Sequence, residues 1–249
     1  MIILKSSEEV EKISESCRIV GKTLDAIKTF VRPGITTKDI ETFAETNIKE
    51  QGGVPAFKGY RGYPASICTS VNEEVIHGIP SKRVLNEGDI VSIDLGVYKN
   101  GFYGDGAVTI PVGSINPEAE KLIQVTEEAL HMGIKNAKVE NRVSDISNAI
   151  QRHVESNGFS VVRAFVGHGI GRELHEDPQI PNFGLPGTGP RLKEGMTLAI
   201  EPMVNAGGYD VFILNDGWTA VTADGKLSAH FEHTVLITLN GQIILTKIN

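Results

Sequence analysis

The sequence predicts an α+β fold, with helices packed in pairs on one face of an antiparallel sheet. Three observations predict it. Segments of helical periodicity come in pairs, strand-like segments follow each pair, and one ten-residue pattern occurs twice. The pattern runs Leu85-Asn86-Glu87-Gly88-Asp89-Ile90-Val91-Ser92-Ile93-Asp94, and again Leu192-Lys193-Glu194-Gly195-Met196-Thr197-Leu198-Ala199-Ile200-Glu201. Each copy ends in a carboxylate and is followed by a second acid, Asp105 or Glu232. Each is preceded by His-Gly-Ile, at His77-Gly78-Ile79 and at His168-Gly169-Ile170. No low-complexity linker interrupts the 249 residues. One domain spanning 1–249 is expected, with halves of about 1–115 and 116–249.

The elements follow in order. Ser6 with Glu9 three residues on forms a capping box, and Val10, Ile13, Cys17, Val20, Leu24 and Ile27 recur at helical spacing as far as about Phe30. A second helix starts near Thr37 and ends at Gly52-Gly53. Residues 53–66 read as a loop, Ile67 to Val71 as a short strand, and His77-Gly78-Ile79-Pro80 as a turn. Ile90–Tyr98 and Phe102–Ile110 read as a hairpin closed by Asn100-Gly101. Asn116 caps a helix reaching about Lys138, and Ser144 is expected to cap the next, ending near Gly158. Phe159 to Phe165 is strand-like, 177–190 an irregular surface loop, and Met196 to Val204 a strand. Trp218–Thr222 and Phe231–Leu239 close the sheet.

Hydrophobic content of 40% and charged content of 22% are ordinary for a globular protein. A net charge of -7 provides no long-range attraction for nucleic acid or anionic lipid, so neither DNA nor a membrane is an expected partner. Cys17 and Cys68 cannot build a disulfide framework and read as free thiols of a reducing compartment. Met1–Lys5 is too short for a signal-peptide core, and no apolar run spans a bilayer. A cytoplasmic protein acting as a monomer is expected.

The repeated acids carry the chemistry. On a hairpin turning at Asn100-Gly101, Asp94 and Asp105 are expected to come close to directly opposite, with Cβ atoms about 5 Å apart. Two carboxylates inside an apolar hairpin repel each other and are costly to desolvate, and a divalent cation between them removes that cost. With Glu201 and Glu232 the set suits two divalent ions. Oxygen-rich ligation with an imidazole favours Mn, Fe, Co or Zn, and the matching chemistry is metal-assisted hydrolysis of an amide or ester. Solitary acids near a turn are usually solvated; Asp94 and Glu201 differ because each ends an apolar strand. A glycine-flanked histidine often marks only a turn, which is the bland reading of His168, and His175, seven residues on, reads equally as loop decoration. His131, His153 and His230 have no repeat partners and are assigned no role.

These motifs together resemble the methionine aminopeptidases, in the short bacterial type I form of the M24 pita-bread metallopeptidases, over nearly the whole chain. The resemblance rests on Gly62-Tyr63-Pro64 with Ser66 and Cys68, Asn72-Glu73, His77-Gly78-Ile79-Pro80, Asp94-Leu95-Gly96 and Gly104-Asp105. It rests equally on Gly167-His168-Gly169-Ile170-Gly171, His175-Glu176, Glu201-Pro202 and Glu232-His233-Thr234. It implies a pita-bread fold of two pseudo-symmetric halves and removal of N-terminal methionine from nascent proteins whose second residue is small. It implies metal ligation by Asp94, Asp105, His168, Glu201 and Glu232, with Asp105 and Glu232 shared between two metals. Glu201 would be general base toward a bridging hydroxide, His175 would stabilise the oxyanion or substrate amide, and His77 would contact the peptide backbone. Phe57, Tyr60, Tyr63, Cys68 and Trp218 would form the methionine pocket, with His77 and His175 also touching substrate. Leu174 stands where relatives often carry an aromatic, and Phe57 where a cysteine can occur. Expected partners are the N-terminal peptides of nascent chains, with the ribosome as a further candidate. Aminopeptidase P and prolidase share the ligands but carry a large extra N-terminal domain, for which the stretch before Ile67 is too short. The intervals around Glu201 leave little room for the helical insert of type II enzymes. A peptide-binding protein on the same scaffold would be expected to have lost ligands, and all five are present.

Overall fold

A computed structural model describes residues 1–247; the last two positions of the expected 1–249 unit lie outside the described residues. In chain order the elements are α1 Ser7–Phe30, α2 Thr37–Glu50, β1 Val54–Pro55, β2 Cys68–Val71, β3 Glu74–Ile76, β4 Ile90–Lys99 and β5 Phe102–Pro111. Then come α3 Pro117–Asn136, α4 Val143–Ser156, β6 Ser160–Val161, β7 Val166–Gly169, β8 Glu176–Pro181, β9 Thr197–Ile200 and β10 Met203–Asn205. The chain closes with β11 Val211–Ile213, β12 Ala220–Thr222, β13 Ser228–His230, β14 Glu232–Thr238 and β15 Gly241–Ile244.

Local chemistry sets the helix starts. Ser6 Oγ accepts the Glu9 N–H while the Glu9 carboxylate accepts the Ser6 N–H, so two orphan donors of α1 are satisfied. Thr36 and Asp39 repeat the device at α2. Asn116 caps α3 with Pro117 at its first position. At α4 the N-cap is Arg142, not Ser144: Asp145 accepts the Arg142 N–H, and the Ser144 hydroxyl instead donates to the Thr188 carbonyl. The helices bury one stripe each, and Ile13, Ile27, Ile40, Ile48, Leu122, Leu130 and Ile146 are fully enclosed. Burying each such side chain contributes about 1.5–3 kcal/mol.

The large sheet is ordered β1-β4-β5-β14-β9-β7-β8, with β2 added to β4 and β15 to β14. Two three-stranded sheets, β13-β10-β6 and β11-β12-β3, lie beside it. Asn100 and Gly101 both have positive φ, 51° and 88°, the signature of a type I′ turn that matches strand twist. Three expectations need correction. Phe159–Phe165 is strand only at Ser160–Val161. The segment 177–190 is not all loop, because its start pairs with β7 as β8; this is a sheet edge, where Pro178 and Pro181 are tolerated. Met196–Val204 is broken at Glu201-Pro202 into β9, in the large sheet, and β10, in a small one.

The two halves repeat in three dimensions. Thr36 bridges to Val84 in the first, and Arg142 to Arg191 in the second. The next residues, Thr37 and Val143, donate their N–H groups to Arg83 and Pro190 at 3.0 Å each. Leu85 and Leu192, which open the repeated pattern, are both buried. Gly88 and Gly195 both take positive φ, 94° and 83°, in the turn that feeds the strand ending in an acid.

Candidate metal centre and pocket

Sheet register places the acids. The hairpin pairs Asp94 with Ala107 and Gly96 with Asp105, so Asp94 and Asp105 are not directly opposite but diagonal neighbours. The two-residue turn sets that register. Residues two apart share a face, so both carboxylates still point the same way. Glu232, the first residue of β14, pairs with Ala107 from the other side. The β9–β14 register sets Ile200 against His233, and one residue further Glu201 falls beside Glu232. His168 lies opposite Ala199, two residues before Glu201, and so joins the same face. Five side chains from five consecutive strands of the sheet path thus converge.

Close backbone approach makes this possible. A Cβ at Gly167 would sit 2.5 Å from the Ala199 carbonyl, and one at Gly169 would sit 2.2 Å from that of Asp177. The glycines flanking His168 therefore let β7 nest between β8 and β9, which a turn-only reading of the motif does not require. The chain crosses between sheets at the same point. Glu201-Pro202 separates β9 from β10, Phe231 separates β13 from β14, and the Phe231 N–H donates to the Pro202 carbonyl at 3.3 Å.

The donor set fits divalent cations. Asp105, His168 and Glu232 offer ligand atoms that all lie within 4.8 Å of one another. The His168 Nδ1–H donates to the Gly169 carbonyl at 2.9 Å, which leaves the Nε2 lone pair facing Glu201 Oε1 at 3.4 Å. Burial lowers the His168 pKa to about 4, so the ring is a neutral donor. Asp94 Oδ1 and Glu232 Oε1 are buried without a hydrogen-bond partner among the described residues. Burial raises the Asp94 carboxyl well above its ordinary range, and Asp105 adds to the effect. Glu201 is raised by burial and then by Asp94 and Asp105, and Glu232 by burial and then by Asp105, Glu201 and Asp94. Asp105 is pushed up to about 7 by burial, against the opposing Gly106 N–H. Clustered, dry carboxylates with free lone pairs are the arrangement that positive charge neutralises.

A cavity of about 130 Å³ opens onto these acids and brings together all twelve residues singled out from the sequence. Besides the five candidate ligands they are Phe57, Tyr60, Tyr63, Cys68, His77, His175 and Trp218. A larger, open depression over α3 and α4, lined by Asn136, Asp145 and Arg152, holds none of them. Cys68 pairs with Asp94 across β2 and β4, so the apolar wall begins beside the acids. Burial and the Asp94 charge raise the Cys68 thiol well above its ordinary value, which keeps it a neutral, polarisable surface. The Tyr63 hydroxyl donates to the Gly78 carbonyl at 2.9 Å, and its ring meets Trp218 edge-on at 5.1 Å. Phe57 and Leu174, the two departures from the family pattern, pack in one cluster with Tyr63, Ala65, Cys68 and Ile170.

His77 takes a positive φ of 60°, and a Cβ at Gly78 would lie 2.2 Å from the Thr69 carbonyl, so the dipeptide is held in a strained, crowded turn. Burial lowers the His77 pKa to about 4. His175 stands at the opening. Its Nδ1 hydrogen-bonds the Tyr60 hydroxyl at 2.8 Å, and its ring lies 4.2 Å from that of His168. The pocket walls, then His168, Arg61 and His77, all hold His175 below its ordinary pKa.

Two neighbours had no assigned role. Arg61, with φ of 50°, lines the mouth and stacks its guanidinium over Tyr60 at 5.3 Å. No sequence pattern marks it. His230, which has no repeat partner, is buried with Nε2 3.6 Å from Glu201 Oε2. Its position two residues before Glu232 was the available signal.

A buried cluster of carboxylates and one imidazole on a sheet face, opening into an apolar pocket, is the arrangement of a metallohydrolase. The chain belongs to metallopeptidase family M24, whose model matches residues 11–239. It is 59% identical to the methionine aminopeptidase of Clostridium perfringens, and the match covers 100% of both chains. Identity to methionine aminopeptidase 1 of Bacillus subtilis is 56%, again over 100% of both. The crystal structure of methionine aminopeptidase from Thermotoga maritima superposes with a TM-score of 0.98 at 52% identity, covering 100% of each chain. The fold is accordingly the pita-bread arrangement, with paired helices backing a curved antiparallel sheet. No helix among the described residues is long and apolar enough to cross a membrane.

Proposed function

We propose that this protein removes the N-terminal methionine from nascent polypeptides whose second residue is small, as a cytoplasmic monomer carrying two divalent ions of Fe, Mn, Co or Zn. The observation that carries this reading is the shared cavity: the acids and the apolar wall meet at the Cys68–Asp94 pair. The names of the full-length relatives support it. Asp94, Asp105, His168, Glu201 and Glu232 would hold the metals, which when bound supply Lewis acidity and acidify the attacking water.

The chain's own groups do the rest. Glu201 takes a proton from the attacking water and returns it to the leaving amine; its raised carboxyl pKa suits both steps. With Tyr60 donating to Nδ1, the neutral His175 carries its proton on Nε2 and donates it to the oxygen that gains charge. His77, neutral and fixed by its strained turn, contacts the peptide backbone after the scissile bond. The wall of Phe57, Tyr63, Cys68 and Trp218 takes the methionine side chain, which sets the free α-amine beside Asp94. This accounts for action at chain ends.

The test is release of methionine by the purified protein supplied in turn with Fe, Mn, Co or Zn. Met-Gly-Met-Met and Met-Ala-Ser should be cleaved and Met-Leu-Ser should not. No release from the first two under any of the four metals would sink the reading.

A further inference from the structure

The segment before α1 reaches the site without touching the metal ligands. Lys5 is buried, and its ammonium lies 2.6 Å from Glu176 Oε2 with the two side chains 1% and 5% exposed. Its backbone N–H donates to the Gly195 carbonyl at 2.8 Å, inside the repeated pattern. The Lys5 stem crosses directly over Gly171, where a Cβ would lie 2.3 Å from Lys5 Cε. Glu176 Oε1 accepts the N–H groups of Arg172 at 2.8 Å and Glu173 at 3.3 Å, closing the turn on which His175 rides. The Arg172 guanidinium reaches Glu9, in the first turn of α1, at 2.6 Å. The Gly171 carbonyl is held in turn by the Tyr103 N–H at 2.8 Å.

A buried lysine–carboxylate pair is an inefficient source of stability, because desolvation offsets most of its attraction and an apolar pair of similar volume serves as well. What an apolar pair cannot do is fix a carboxylate whose other oxygen organises a turn. We infer that Lys5 is a positioning residue: through Glu176 it locks the turn 172–176 and so sets where the His175 imidazole stands. The inference rests on the role proposed above for His175. It makes the N-terminal segment part of the catalytic geometry, since that segment fixes one wall of the opening.

The test uses K5M and the double variant K5M/E176Q in the full chain. K5M strands a buried carboxylate and can fail to fold. The double variant leaves no unpaired charge and keeps an amide oxygen for Arg172 and Glu173, so it decides the matter. Displacing a reacting group by about 1 Å costs roughly 100-fold. The expected result is a kcat on Met-Ala-Ser lower by about 10- to 100-fold, with KM and calorimetric Mn affinity held. Amide hydrogens of residues 171–175 should exchange faster. A folded double variant with wild-type kcat, or with unchanged exchange at 171–175, overturns the inference. If the wild-type protein releases no methionine, the aminopeptidase reading fails by itself, and the exchange measurement still decides the link from Lys5 to the turn.

Discussion

A methyl group added at Gly96 meets the wall of the side-chain pocket, and the three heavy atoms nearest to it belong to Phe57 and Ala56. A Cβ on Gly96 would lie 2.6 Å from Phe57 Cε1 and 3.1 Å from the Ala56 Cβ. Carbon atoms in ordinary contact are about 3.5–4.0 Å apart, so the Phe57 ring edge must retreat by about 1 Å. It is held by the cluster that includes Tyr63, Cys68 and Leu174, so the retreat costs packing energy. Overpacking of this kind destabilises by about 1–3 kcal/mol. In a chain of this length each kcal/mol lowers the melting temperature by about 2–4 °C. Gly96→Ala is therefore expected to melt several degrees lower and to raise KM for methionyl peptides, with metal affinity unchanged. Phe57→Leu supplies the partner variant, and the double-mutant cycle is the assay. Relief of the clash requires the double variant to be less destabilised than the sum of the singles by at least about 0.5 kcal/mol. Additive melting shifts would refute the idea that Phe57 is what Gly96 accommodates.

Other consequences follow from the same geometry. Asp105→Asn or Glu232→Gln should abolish peptide cleavage together with calorimetric metal binding; a fully active variant would remove that residue from the site. Tyr60→Phe deletes one neutral hydrogen bond to His175, worth about 0.5–1.5 kcal/mol. Steady-state kinetics should show kcat/KM lower by about 3- to 10-fold, and a loss far beyond that would mean Tyr60 acts on substrate itself. Stripping metal with a chelator exposes the raised carboxyls. The folded pKa of Asp105, about 7, exceeds its ordinary 3.8, so the folded state binds more protons than the unfolded one. The Asp105 contribution to the stability of the stripped protein should therefore be lost as pH rises from 3.8 through about 7. Thermal melts with chelator at pH 5 and pH 7 check this against Asp105→Asn, which cannot titrate: the wild type should lose more stability, or gain less, than the variant over that interval, and equal shifts in the two proteins would contradict it.

Much of the site was legible because the repeat is physical: two strands that each begin after a Leu-x-Glu-Gly turn and end in an acid. The hairpin was legible from Asn100-Gly101, whose left-handed backbone few other residues adopt so readily. Register was legible from the same turn: two residues at Asn100-Gly101 pair Lys99 with Phe102 and hence Asp94 with Ala107, so setting Asp94 nearly opposite Asp105 misses the count by two residues. The strand carrying His168 was obscured by Gly167 and Gly169, which weaken a strand signal although close packing demands them. β8 was hidden by its prolines, acceptable only because the strand lies at a sheet edge, which its own residues do not announce. Arg61 and His230 were missed because their importance comes from folding next to Tyr60 and Glu201.

The break after Glu201 has one further consequence. β9 and β14 run in the large sheet, β10 and β13 in a small one, and the chain changes sheets at Glu201-Pro202 and Phe231, directly beside Glu232. A cation held by Glu201 and Glu232, as proposed above, would sit where the large sheet meets the small one and so tie the two sheets together.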